Sequence, residues 1–314
     1  MTNTQTTHRA DVIRGAVLIG IAAALWATTS IAAKFLFADS SLDALTLGWL
    51  RLMIAFPVFF FLMRWERRQL SSKARFRLTR RNLLTLLALG AFQAAYQSCY
   101  LLAVDLTGAG IATLIALCLS PVLVAIFSAP LLGERPGVVT ILALMVAIIG
   151  TVMLVSGDVS VTGHWRFGGI ALAILAAFVY AGFTMTSRYS AGGTPVFATA
   201  FGCFLTGAVT LLPVVWLDNG FAALSTLGTR DWLLVTYIGI VPTCVGYVCF
   251  FTGMKTTPAT TSSIIVTLEP LFVALLAWLI LGEVLGTLGL TGAIILTAAV
   301  IVASRSSAQL GKQA

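Results

Sequence analysis

Ten runs of about twenty predominantly apolar residues follow one another between Gly15 and Ala303. A run of that length crosses the ~30 Å hydrocarbon core of a bilayer as a helix rising 1.5 Å per residue. In such a layer every backbone N–H and C=O must be satisfied inside the protein, which admits helices or a closed barrel. The apolar residues here are continuous and do not alternate with period two, so helices are expected. The expected class is an all-α polytopic membrane protein. Its ten helices are placed at 15–36, 43–63, 82–104, 108–132, 137–156, 167–187, 195–217, 231–253, 258–281 and 284–303. Composition agrees: 59% of residues are hydrophobic and 10% are charged, too little polar surface for a soluble chain of this length. The longest polar stretch, RWERRQLSSKARFRLTRRN, is too short for a core of its own.

A formal charge of +8 would suit a nucleic-acid binder, but its placement argues otherwise. With the N-terminus taken as cytoplasmic, only Lys34, Arg166 and Arg230 lie on outer flanks, and Arg51 lies inside a span. The remaining fifteen of the 19 basic residues fall on inner flanks, the asymmetry that orients membrane proteins. Both termini are therefore expected in the cytoplasm, with the chain in the cytoplasmic (inner) membrane. Residues 1–14 and 304–314 are read as cytoplasmic tails. The basic loop from Arg64 to Arg81 is read as a topology anchor on anionic membrane lipid, with no nucleic acid involved. The first span is read as a retained helix, because its apolar run is longer than a cleaved signal needs.

The segments LSPVLVAIFSAPLLGE (119–134) and LEPLFVALLAWLILGE (268–283) align at an offset of 149 residues. Pro121 then meets Pro270, Val124 meets Val273, and Leu132-Gly133-Glu134 meets Leu281-Gly282-Glu283. The chain reads as two five-helix units, 15–156 and 167–303, joined by a linker at 157–166. Five is odd, so the second unit enters the membrane from the opposite face. Inverted-topology repeats of this kind are the architecture of many secondary transporters.

Glu269 lies about 16 Å along the ninth helix at 1.5 Å per residue, close to the bilayer midplane. An ionised carboxylate there costs on the order of 2.5–3.5 kcal/mol on insertion scales. It therefore calls for water, a cation or a proton. Pro270 removes a helical N–H at the same level, and Pro121 does so in the fourth helix, where Ser120 precedes it. Paired interruptions in two halves point to a central site. Other polar residues join it: Gln93, Tyr96, Gln97 and Tyr100 at i, i+3, i+4 and i+7 of the third helix; Trp26 in the first; Arg51 in the second; Tyr180 and Thr184 in the sixth. Ser262 sits seven residues before Glu269, as Thr113 does before Ser120. Thr199, Cys203, Thr206 and Thr210 mark the seventh helix, a pattern that more often reflects close packing. A structural ion pair of Glu269 with Arg51 or Lys34 is the rival reading of the acid. Helices five and ten lack such stripes and are expected at the periphery. Glu134 and Glu283 are read as interface anchors, and Gly20, Gly90, Gly150, Gly207 and Gly292 as sites of close packing.

Enzyme chemistry finds no support. No HExxH, GxSxG or phosphate-loop motif is present, and His8 and His164 lie outside the spans. The five cysteines sit in apolar runs without CxxC spacing, so neither a metal nor another cofactor is expected.

LWATTSIAAKF (25–35), LRLMIAF (50–56), residues 92–136 and PATTSSIIVTLEPLFVALLAWLILGEVL (258–285) resemble the EamA-type drug/metabolite transporter (DMT) superfamily. The resemblance implies ten helices in a five-plus-five inverted repeat. It also implies a cavity lined by all helices except five and ten, and export or exchange of amino acids and related small metabolites. The family often has Gly where Ala27 follows Trp26. The expected activity is secondary active export of a small-molecule substrate by alternating access, with protons as the candidate coupling ion. The alternatives are an uncoupled facilitator or exchanger and, behind it, a non-transporting scaffold. The oligomeric state is left open.

Overall fold

A computed structural model describes residues 2–69, 79–155, 166–282 and 286–310, and no strand occurs among them. Ten spanning helices follow one another: α1 (Thr2–Asp39), α2 (Ala44–Gln69), α3 (Arg80–Thr107), α4 (Ala109–Leu132), α5 (Val138–Val155), α6 (Arg166–Ala191), α7 (Val196–Leu217), α8 (Thr229–Gly253), α9 (Ala259–Leu281) and α10 (Thr287–Leu310). A short helix, Gly220–Leu224, links α7 to α8. All ten are long and apolar enough to cross a membrane. Several outrun their expected limits. α1 starts at Thr2 within the expected tail, α2 continues to Gln69, and α10 continues to Leu310 past the expected end at 303. Hydropathy marks where the chain enters the apolar layer, whereas backbone hydrogen bonding carries a helix beyond it. Residues 157–165 of the linker and Glu283 lie outside the described residues.

The repeat reappears in the backbone. Gly133 and Gly282, paired by the 149-residue offset, close α4 and α9 with φ of 71° and 69°. Both LGE endings thus place glycine at the left-handed position where a side chain would be strained. Helix partners correspond as well. α1 packs on α8 as α6 packs on α3, α4 on α6 as α9 on α1, and α3 on α7 as α8 on α2. α2 with α7 and α5 with α10 each form a self-corresponding pair. This arrangement fits two copies of one five-helix unit.

α5 and α10 lie together at the periphery, as expected, with Val138, Leu142 and Ile294 exposed on their outer faces. Their backbones touch at Gly150 and Gly292. A Cβ on Gly292 would lie 2.6 Å from Leu154 N and 2.7 Å from Gly150 O. Gly90 and Gly207 permit a similar approach of α3 to α7. Gly20 does not belong with them, since its nearest neighbour, Ile265 Cγ2, is 4.0 Å from such a Cβ.

Two helices are irregular near mid-depth. In α9 the α-helical run stops at Val266 and restarts at Glu269, with Thr267 and Leu268 in a turn between. Pro270 follows as the second residue of the new run. In α8 the segment Gly239–Val245 is π-helical around Pro242. Pro242 has no N–H for the carbonyl of Ile238, and the Thr243 hydroxyl donates to that oxygen at 2.7 Å instead. α4, by contrast, runs through Pro121 without interruption. The expected break is therefore present in the second half and absent from the first.

Candidate functional site

α3 packs on α6 and α7 and reaches α8 through Gln93, and its polar stripe gathers most of the residues expected from the sequence. Arg51 on α2 donates through Nη2 to Gln97 Oε1 at 2.9 Å. Gln93, buried, accepts from the Tyr247 hydroxyl at 3.2 Å. Tyr100 and Thr113 share a hydrogen bond of 2.6 Å between their hydroxyls. The Tyr96 ring lies against Tyr100 and Tyr180, with centroids 5.6 and 5.0 Å away. Trp26 lies against Tyr247 and Phe250 at 4.9 and 5.4 Å.

Glu269 enters this group at the start of the second run of α9. It is half-buried. It lies within electrostatic reach of Arg51 and of the phenols of Tyr96, Tyr100, Tyr180 and Tyr247. Among the described residues the ion pairs join Arg188 to Glu134 and Arg230 to Asp39, so Arg51 and Glu269 stand near each other without direct contact. The structural ion pair of Glu269 with Arg51 is therefore not formed. The carboxylate ends in an aromatic enclosure with a cation at its edge.

The hydrogen-bond inventory identifies the same place. Buried polar atoms normally have partners, because an unmade hydrogen bond costs on the order of 1–3 kcal/mol. Among the described residues seven buried side-chain atoms have no partner: Trp26 Nε1, Arg51 Nε, Ser120 Oγ, Tyr180 OH and Thr184 Oγ1, and also Thr46 Oγ1 and Thr257 Oγ1. The first five belong to residues singled out from the sequence, and the two threonines do not. Those left open on Arg51 and Tyr180, within electrostatic reach of the Glu269 carboxylate, suit a polar ligand or water.

Ser262 does not join them. It is fully buried and donates to Pro258 O of its own helix at 2.9 Å. The turn at Thr267–Leu268 separates it from Glu269, so seven-residue spacing no longer keeps the two on one face. Pro121 is buried within continuous helix beside Ser120, while Pro270 is half-buried beside the acid. The α7 stripe acts in packing: Thr199 pairs with Ser190 at 3.2 Å and Thr210 bonds its own backbone.

Sequence reasoning missed Tyr247. Its ring meets Trp26, Phe204 and Phe183, and its hydroxyl holds Gln93. The available signal was Pro242 flanked by Gly239 and Gly246, an interruption of the eighth helix. Gly246 also bears on Trp26, since a Cβ there would come within 2.9 Å of the indole nitrogen. A Tyr247→Phe substitution is expected to keep the ring contacts and leave Gln93 Oε1 unpaired. Thermal unfolding in detergent is expected to register a loss of about 1 kcal/mol.

A separate cavity of about 380 Å³ opens between α2, α3 and α7. Leu83, Leu86, Leu87, Phe201 and Leu205 line it, with Glu66 and Arg67 also at its wall. None of the residues expected at the central site borders it.

A model of the EamA-like transporter family matches residues 13–156 and again residues 167–305. The pseudopaline exporter CntI of Pseudomonas aeruginosa is 27% identical over 297 residues, covering 94% of this chain and 98% of that protein. The uncharacterized inner membrane transporter YicL of Salmonella typhimurium is 28% identical over 295 residues, covering 90% and 94%. Other relatives match over shorter stretches: this chain spans 63%, 76% and 53% of the length of three transporters from Bacillus subtilis, Archaeoglobus fulgidus and Clostridium kluyveri. A solved crystal structure superposes with a TM-score of 0.73 at 21% identity, covering 93% of this chain and 98% of the other. That likeness extends to the fold.

Proposed function

The chain belongs to the EamA-like transporter family, and from that premise we propose that it exports a small zwitterionic metabolite, such as an amino acid, across the inner membrane. The observation carrying the proposal is Glu269 standing beside, but not bonded to, Arg51 at mid-depth. A substrate ammonium fits against the carboxylate and its aromatic surround, where a cation gains from both charge and ring faces. A substrate carboxylate fits against the guanidinium, whose planar fork suits it. The unpaired buried atoms of Trp26, Arg51, Ser120, Tyr180 and Thr184 offer further contacts. CntI, named as a pseudopaline exporter, and YicL, named as an inner membrane transporter, support the class and the location.

The mechanism proposed is alternating access between two inverted halves around this site. Glu269 takes up a proton or a substrate ammonium depending on which side it faces, and so couples the two movements. Arg51 orients the substrate. The end of the molecule carrying Arg64, Arg67, Arg68, Arg80 and Arg81 is assigned to the cytoplasm on the strength of its charge.

Reconstituted proteoliposomes test this. A panel of labelled amino acids is expected to include substrates whose flux follows an imposed pH gradient; flux indifferent to that gradient would favour an uncoupled exchanger. Arg51→Gln is expected to raise the apparent KM of carboxylate-bearing substrates by about tenfold to a hundredfold, equivalent to a charge-assisted hydrogen bond of ~1.5–3 kcal/mol. Analogues lacking the carboxylate are expected to change little. An equal loss for both kinds of substrate would remove the clamp from the proposal.

A further inference from the structure

Opposite charges attract more strongly where protein replaces part of the surrounding water. Arg51 and Glu269 are both half-buried and within electrostatic reach of each other, yet no ion pair joins them. The guanidinium has several N–H donors and no acceptor. Among the described residues it makes one hydrogen bond, from Nη2 to Gln97 Oε1 at 2.9 Å, and its Nε is buried without a partner. An arginine so sparsely bonded has little besides Gln97 to keep it from the carboxylate.

The hold on Arg51 is built from α2 and α3. Gly48 lies three residues before Arg51 on α2, so the two share a face. The Gln97 side chain fills the space that glycine leaves there: a Cβ on Gly48 would lie 2.9 Å from Gln97 Cγ, Cδ and Nε2. Because a guanidinium only donates, the amide turns its oxygen to Arg51. One turn earlier on α3, Gln93 Oε1 accepts from the Tyr247 hydroxyl at 3.2 Å. Two amides on one face of α3 thus hold a cation of α2 and a phenol of α8, both within electrostatic reach of Glu269. Shifted by 149 residues, Gln93 and Gln97 fall on Pro242 and Gly246, so the second half has no amide at either position. Gly48, Arg51 and Gln97 belong to the first half and Glu269 to the second. The bond therefore lies within one half, and the gap between the charges lies between the two.

We propose that Gln97 is a positioning residue: seated against Gly48, its amide holds the Arg51 guanidinium off Glu269, so that substrate meets two open charges and not a closed ion pair. Without that amide the guanidinium swings onto the carboxylate, and a substrate must part the pair before it can bind. The spacer deepens the reading of Arg51 and Glu269 as substrate contacts and rests on it. A plain brace between α2 and α3 would also cost stability when removed. It would not create a new attraction between Arg51 and Glu269.

Double-mutant cycles on thermal unfolding in detergent test the spacer without substrate or gradient. Arg51→Gln and Glu269→Gln are made singly and together, first in the parent and then with Gln97→Leu, which has similar bulk and no acceptor. In the parent the losses in Tm are expected to sum within about 1 °C. With Gln97→Leu the loss of the double variant is expected to fall at least about 2 °C short of the sum, because each single change then breaks a formed pair. Any smaller shortfall overturns the spacer. Gly48→Ala leaves Gln97 chemically intact but presses on the end of a flexible side chain, and is expected to give a shortfall of the same sign. It carries the test if Gln97→Leu does not fold. In proteoliposomes Gln97→Leu is expected to raise the apparent KM of carboxylate-bearing substrates about tenfold. The shortfall in a protein that transports none of them would keep the spacer and sink the substrate reading. Transport by the parent with no shortfall in the cycle would do the reverse.

Discussion

Glu269→Gln is expected to reduce proton-driven transport in proteoliposomes by at least about a hundredfold, or ~2.7 kcal/mol in the barrier, while the protein folds and inserts normally. Glutamine keeps the size and shape of the side chain and cannot ionise. If the acid served only to hold helices together, an amide in the same place would preserve that role, because no hydrogen bond or ion pair from a described side chain depends on its charge. The charge matters instead to what enters the enclosure formed with Arg51, Tyr96 and Tyr180. Two assays divide the roles. Loss of accumulation with retained substrate exchange identifies the carboxylate as the proton carrier. Loss of both identifies it as the ammonium site. Activity within about threefold of the parent in both assays would leave Glu269 without a part in transport.

The largest structural effect is expected from Gly292→Leu. The first side-chain carbon would meet backbone atoms of α5, Leu154 N at 2.6 Å and Gly150 O at 2.7 Å. Backbone cannot step aside as a flexible side chain can, so α5 and α10 must separate along their shared length. Overpacking typically costs ~1–3 kcal/mol and occasionally more; with both neighbours in backbone, the upper part of that range or beyond is expected. Size-exclusion chromatography of the detergent-solubilised protein is expected to show loss of the monodisperse peak, and Gly292→Ala an intermediate loss. A monodisperse, thermally unaltered Gly292→Leu protein would mean that this helix pair does not brace the fold. The same change at Gly20, whose Cβ would meet nothing closer than 4.0 Å, is the control.

Much of the central site was legible because polar groups in an apolar run are costly and so conspicuous. Glu269, Arg51 and the stripe from Gln93 to Tyr100 stood out in this way, and they do converge. Tyr247 did not stand out. A tyrosine is ordinary in a membrane helix, and only the π-helical turn around Pro242 and the approach of α1 bring it onto Trp26 and Gln93. Ser262 was misplaced for the complementary reason. Its spacing from Glu269 assumed a continuous helix, and the turn at Thr267–Leu268 interrupts the phase. Pro121 showed the converse: α4 absorbs its missing N–H without a break, while α9 breaks just ahead of Pro270.

From the linear order of residues alone came the number of spans, the helical class, the family likeness, the duplication and the presence of an acid inside an apolar run. The spans and the helical class follow from transfer of each segment between water and hydrocarbon, a property that residues carry with them along the chain, and the duplication and the likeness from motifs that recur in order. Only the assembled bundle decided which groups meet: that Arg51 holds Gln97 and stands off from Glu269, that Tyr247 completes the enclosure, and that Arg188 fastens α4 to the opposite half. Such encounters depend on the pairing and phase of helices far apart in the chain, and a single interrupted turn is enough to redirect them.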